Sequence, residues 1–295
     1  MDGQRATFQA IGTRWDIQVP QPVADTVWQE TLDRLRVRIA EFDANYSRFR
    51  DDSLVARMSR AAGTYQLPDD GYALLKYYEQ LYRVTNGAVT PLIGQVLVDA
   101  GYDTNYSLKK KDLQAPPRWE DVLTYDEHAI TLAQPVLLDF GAAGKGYLVD
   151  IVADLLEAAG IVSYLVNAGG DMRRRSTEPA ELQVGLENPF DTSEVVGVAR
   201  LGNRSLCASA GSKRQWAGLH HIIDPVSLTS PQGVVATWVM ADSTMLADGL
   251  ASALFFADPE VLRLSFDFTY ALLDADGGLR YGTDFPVTLF DEADA

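Results

Sequence analysis

The sequence predicts an α+β (mixed α/β) fold, and three observations carry that prediction. Apolar residues recur at helical spacing over 22–45, 69–84 and 147–159. Short apolar runs separated by glycine and polar breaks fill 161–241. The two kinds of element mix without strict βα alternation. The chain has 295 residues, 47% of them hydrophobic, enough for a full core in one domain over 1–295 or in two subdomains with a site between them.

Residues 6–19 alternate and predict an opening strand. Over 22–45, Val27, Leu32, Leu35, Val37, Ile39 and Phe42 among charges predict an amphipathic helix. A second helix is predicted over 69–84, with Asp69 and Asp70 at its start and Asn86-Gly87 at its end. Residues 91–100 predict a short buried helix. The polar segment 103–130, with Lys109–Lys111 and Pro116-Pro117 inside it, predicts a surface excursion or hairpin with solvated lysines.

Val136–Phe140 is expected to be a buried strand, followed by a glycine-rich turn at 141–146 and a helix over 147–159. Leu148, Ile151, Val152, Leu155 and Leu156 form that helix's apolar stripe, and Gly160 ends it. Further strands are predicted at 161–166, 182–187, 196–201, 205–209, 220–223 and 234–241. A helix over 243–257 and a hairpin around Asp274–Gly278 complete the chain.

Composition narrows the function. With 25 Lys and Arg against 41 Asp and Glu, the net charge is −16, and no basic stripe suits nucleic acid or an anionic membrane. The single cysteine, Cys207, and three histidines, His128, His220 and His221, make a Cys/His zinc site hard to assemble. A metal here is expected to be a hard cation held by oxygens. The N-terminal stretch has no basic region followed by an apolar run, and no apolar run spans a bilayer, so a soluble cytoplasmic protein is expected.

Three stretches can carry chemistry. The turn Gly141–Gly146 before a helix presents free N–H groups and a positive dipole end, which suits phosphate. It is neither a P-loop, since Asp139 and Gly146 occupy the positions of its first Gly and its Ser/Thr, nor a GxGxxG fingerprint. Lys145 opposes the helix dipole, so it faces an anionic ligand or a carboxylate such as Asp139, or is simply an exposed turn lysine. The second stretch is 243–257, where Asp248 is the one charge between Asp242 and Asp258 in an apolar helix. Ser252 lies one turn on, so carboxylate and hydroxyl together can ligate Mg²⁺; alternatively Asp248 pairs with an Arg or caps a loop. The third is His220-His221-Ile222-Ile223-Asp224-Pro225, where alternation lets one His face a site while the other faces solvent or core.

In order along the chain these stretches resemble the FAD:protein FMN transferases of the ApbE type. The resemblance runs from Ile11-Gly12-Thr13, through Asp43–Ser53, Thr85-Asn86-Gly87-Ala88 with Pro91 and Gly94, and Ala100-Gly101-Tyr102. It continues through Leu138–Asp150, Val166–Asp171, His221–Pro225 and Ala247–Leu254. It implies a flavin transferase fold of mixed sheets flanked by helices. It places Ile11, Phe49, Ala100, Gly101, Tyr102, Asp139, Lys145, Gly169, Gly170, Asp171, His221 and Ile222 around FAD. The carbonyl of Ala142, with Asp248 and the Ser252 hydroxyl, would hold Mg²⁺. The implied reaction moves FMN from FAD to a Thr or Ser hydroxyl of an acceptor protein and releases AMP. In it Lys145 and Asp248 assist the transfer, and His221, held near Asp224, is the base or leaving-group acid. An FAD pyrophosphatase and a non-catalytic FAD-binding protein remain as alternatives. The chain departs from the family pattern at Ile11, Ala100, 209–213, 226–228 and Ser252.

Overall fold

The structure is a computed structural model that describes residues 3–290. The two residues before and five after, at the ends of the expected 1–295 domain, lie outside the described residues. An eight-stranded sheet runs in spatial order Gln4–Ala10, Thr13–Val19, Tyr164–Ala168, Asp171–Arg175, Ser205–Ala210, Val234–Ala241, Thr269–Asp274, Leu279–Tyr281. Every neighbouring pair in it is antiparallel, and helices pack against it in the α+β arrangement that the sequence predicts.

The central strands of the long sheet are buried on both faces, which explains why 234–241 is apolar at every position but Thr237. Side chains alternate across the pleat. Cys207, Val239, Ala241 and Leu272 join the core beneath the helices Asp25–Tyr46, Gly144–Ala158 and Thr244–Ala253. Leu206, Trp238, Met240, Ala271 and Leu273 join a second core against the small sheet Val287–Leu289, Val195–Leu201, Leu182–Glu187. In the Asp25–Tyr46 helix, Leu32, Leu35, Ile39 and Phe42 are buried, whereas Val27 and Val37 are exposed.

Several elements differ from the sequence reading. Residues 6–19 are a hairpin, not one strand: Ile11 and Gly12 take left-handed φ values of 44° and 75° and turn the chain. Val136–Phe140 is extended but joins no ladder, because Val136 N–H donates to Met58 O and Asp139 N–H to Pro91 O, two unrelated segments. At 220–223 only Leu219–His220 pairs, with Gln215–Trp216. The expected excursion holds a turn of helix at Trp119–Val122 and the hairpin Leu123–Tyr125 with Ala129–Leu132. Among the described residues no helix is long and apolar enough to cross a membrane.

Candidate functional site

The glycine turn and the buried C-terminal helix meet. Gly146 N–H donates to Asp248 Oδ2 at 2.8 Å. A Cβ at Gly146 would lie 2.3 Å from Thr244 O and 2.7 Å from Asp248 Cβ, so only glycine permits this approach. The Thr244–Ala253 helix is fixed at its start by Asp150, which accepts from Thr244 N–H at 2.9 Å and Met245 N–H at 2.8 Å. Ser243 caps the same end through Leu246 N–H.

The turn does not offer the free amides that its sequence suggests. Gly141 N–H donates to Asp139, Ala142 and Ala143 N–H both donate to Tyr78 Oη at 3.1 Å, and Gly144 N–H donates to Phe140 O. With Gly146 given to Asp248, five amides are committed to the protein. Asp139 and Phe140 are neighbours of the turn, but Tyr78 and Asp248 come from segments distant in sequence, and those two a local reading could not foresee. What the turn contributes is therefore a carboxylate and carbonyl environment better suited to a cation than to phosphate.

Lys145 is paired, but with Asp171 rather than with Asp139. Asp171 is fully buried, so its carboxylate requires that partner. Asp139 is taken by Arg48. Burial raises the pKa of Asp248, while the Lys145 charge and the Gly146 N–H draw it back down.

A cavity of about 930 Å³ opens between the two cores. Its wall includes Ile11, Phe49, Tyr102, Asp139, Ala142 and Lys145, and also Gly169, Gly170, His221, Ile222, Asp248 and Ser252. Three expected FAD residues do not reach it. Ala100 is fully buried and its carbonyl accepts from Trp216 Nε1. Gly101, at φ 103°, lies so close to the backbone of Lys109 that a Cβ would sit 2.5 Å from its nitrogen. Asp171 lies behind the wall, against Lys145.

One end of the cavity is aromatic. Phe49 stacks on Tyr106 with centroids 5.8 Å apart and meets Tyr102 edge-on at 5.6 Å. Burial pushes the Tyr102 phenol up to about 12, and Arg214 donates to its oxygen. The two histidines have different surroundings, although only His220 lies in a strand. His220 is buried, with Nε2 against Pro231 O, and His221 lines the cavity. Burial, then the charge of Arg214 and the neighbouring His220, lower the His221 pKa to about 4. Asp224 does not hold His221; it accepts from Val226 N–H and Ser227 Oγ.

The donor set fits Mg²⁺. Asp248 gives one oxygen to Gly146, no hydrogen bond is formed to its Oδ1 among the described residues, and Ser252 and Ala142 share the same wall. Among the described residues no three His, Cys, Asp or Glu side chains are grouped as metal ligands. One carboxylate with substrate oxygens and water is a common Mg²⁺ arrangement. Arg48 and Asp150 lie in stretches that carry the family resemblance, but they, Tyr78 and Arg214 were given no site role from the sequence. Only their long-range contacts show what they do.

The chain matches the family described as ApbE family over residues 11–266. A protein from Treponema pallidum named FAD:protein FMN transferase is 27% identical over 277 residues, covering 83% of this chain and 76% of that protein. One of the same name from Vibrio cholerae is 27% identical over 271 residues, covering 85% and 80%. The ApbE protein from Thermotoga maritima superposes with a TM-score of 0.81 at 20% identity, over 96% of this chain and 97% of that one, a likeness of fold.

Proposed function

Because the chain belongs to the ApbE family, we propose that it is a Mg²⁺-dependent FAD:protein FMN transferase, moving FMN from FAD to a Thr or Ser hydroxyl of an acceptor protein. The relatives of that name support flavin transfer as its enzymatic activity. The observation that supports the finer reading is the contact of Asp248 with the glycine turn at Gly146, which brings a buried carboxylate beside that turn in the wall of a cavity with an aromatic end.

The acceptor hydroxyl attacks the FMN-side phosphorus of FAD, the bond to the bridging oxygen breaks, and AMP leaves. Mg²⁺, when bound, supplies neutralisation of charge on the diphosphate. Asp248, Ser252 and the Ala142 carbonyl are the residues to hold it. Lys145 adds positive charge at the same wall, tempered and oriented by Asp171. His221, neutral near pH 7, is the residue to accept the proton of the attacking hydroxyl, as a weak base whose pKa burial lowers to about 4.

The test replaces Asp248 with Asn, which keeps an acceptor for Gly146 N–H and removes the charge. The variant is expected to fold as the parent and to lose Mg²⁺-dependent flavin transfer to an acceptor peptide, followed by mass. Transfer at the parent's rate would show the metal assignment to be wrong. AMP formed from FAD without any acceptor would replace the transferase reading by a pyrophosphatase.

A further inference from the structure

Arg48 holds hydrogen-bond donors that the protein leaves unused. Its side chain is 2% exposed. Nε donates to Asp139, while among the described residues neither Nη1 nor Nη2 finds an acceptor, and both are buried. Its guanidinium carbon lies 4.2 Å from the Phe49 ring centroid and 4.8 Å from that of Tyr102. Aromatic rings pack against the guanidinium and Asp139 takes Nε, so the Nη edge is what remains for a ligand. Arg48 belongs to the cavity wall, beside Phe49 and Tyr102.

A buried charged donor without an acceptor is costly, and a native structure keeps one where a ligand completes it. The surroundings choose between an anion and a neutral acceptor. Asp139 already balances the positive charge of Arg48 and would repel a diphosphate brought to the guanidinium. A planar, uncharged group with carbonyl oxygens at its rim meets no such repulsion, and its ring packs on aromatic side chains. The pyrimidinedione end of a flavin is such a group.

We propose that Arg48 is a specificity-determining residue that recognises the flavin ring, donating from Nη1 and Nη2 to its pyrimidinedione carbonyl oxygens. The assignment rests on the flavin reading above. It gives Arg48 two roles, fixing Asp139 through Nε and reading the ring through the opposite edge. A lysine could serve the first role but lacks the fork for the second.

Parent protein, Arg48→Met and Arg48→Lys are each titrated with riboflavin, FAD and ADP in the presence of Mg²⁺. Riboflavin carries the ring without phosphate, and ADP carries the diphosphate without the ring. Arg48→Met is expected to bind riboflavin and FAD about tenfold to a hundredfold more weakly, the value of hydrogen bonds from a charged donor. ADP affinity stays at the parent's value, which also reports an intact fold. Arg48→Lys, which retains the charge beside Asp139, is expected to lose ring affinity in the same selective way. Riboflavin binding at the parent's affinity by either folded variant overturns the assignment. So does a loss confined to ADP, or one of equal size for all three ligands. A parent that binds neither FAD nor riboflavin overturns the flavin reading itself.

Discussion

Gly146→Ala probes the contact on which the site depends. Considered as a helix alone, alanine in place of glycine gains up to about 1 kcal/mol. The structure predicts the opposite sign. The new methyl would stand 2.3 Å from the Thr244 carbonyl oxygen, 2.7 Å from its carbon and 2.7 Å from Asp248 Cβ. Two of those atoms are helix backbone and cannot rotate away, so the Gly144–Ala158 and Thr244–Ala253 helices must separate by about 1 Å to restore ordinary contact distances. Overpacking of this kind costs ~1–3 kcal/mol. The separation also stretches the 2.8 Å bond from Gly146 N–H to the Asp248 carboxylate, and a hydrogen bond to a charged group is worth ~1.5–3 kcal/mol. Set against the propensity gain, the net expectation is destabilisation of ~2–4 kcal/mol. Urea denaturation reads this directly, and FAD titration with Mg²⁺ is expected to weaken as Asp248 shifts. A variant with an equal or higher midpoint and the parent's FAD affinity would refute the reasoning, because no close helix contact could then exist at Gly146.

Further outcomes follow from the same geometry. Tyr78→Phe removes the shared acceptor of Ala142 and Ala143 N–H; leaving both unpaired is expected to cost ~2–4 kcal/mol in denaturant melts and to lower the Mg²⁺ affinity of FAD binding as the Ala142 carbonyl loses its support. His221, with its pKa lowered to about 4, is neutral in the fold, so the stability it contributes is present above its unfolded pKa, about 6.5, and is lost as pH falls through about 4. The transfer rate should accordingly show no inflection near an ordinary histidine pKa and should fall only toward pH 4; Arg214→Met removes a neighbouring cation and should move that acid limb upward.

The parts of the fold that sequence made legible are those governed by local period. The helix over 69–84 appears as Gly71–Val84, and the strands 182–187 and 234–241 appear at those bounds. The parts that were illegible depend on what lies across the gap. Nothing in the alternation of 6–19 requires a reversal at Ile11, a β-branched residue at a φ of 44° that local preference disfavours. Val136–Phe140 has strand composition, yet its amides find acceptors at Met58 and Pro91 instead of a neighbouring strand. Apolar content established that the segment is inside, not what it pairs with.

The candidate site divides along the same line. Asp248 was legible because a lone acid in an apolar helix carries a cost that the sequence itself displays. Lys145 was legible for a similar reason, as a cation at the wrong end of a helix dipole, but its partner was not. Asp139 is five residues before the glycine pair at 144 and 146 and seemed the natural counter-ion; Asp171 lies beyond an entire helix and strand, and the sheet brings it underneath. The amides of the turn show the consequence for function. Sequence sees a glycine-rich turn opening a helix and expects an anion cradle, whereas Tyr78, Asp139 and Asp248 fill that cradle with protein oxygens. With the amides of 141–144 and 146 already committed, the proposed route to a diphosphate runs through a cation at Asp248 and not through the turn's own backbone. That is why the loss of charge at Asp248 is expected to matter more to FAD than any change in the glycines' amide pattern.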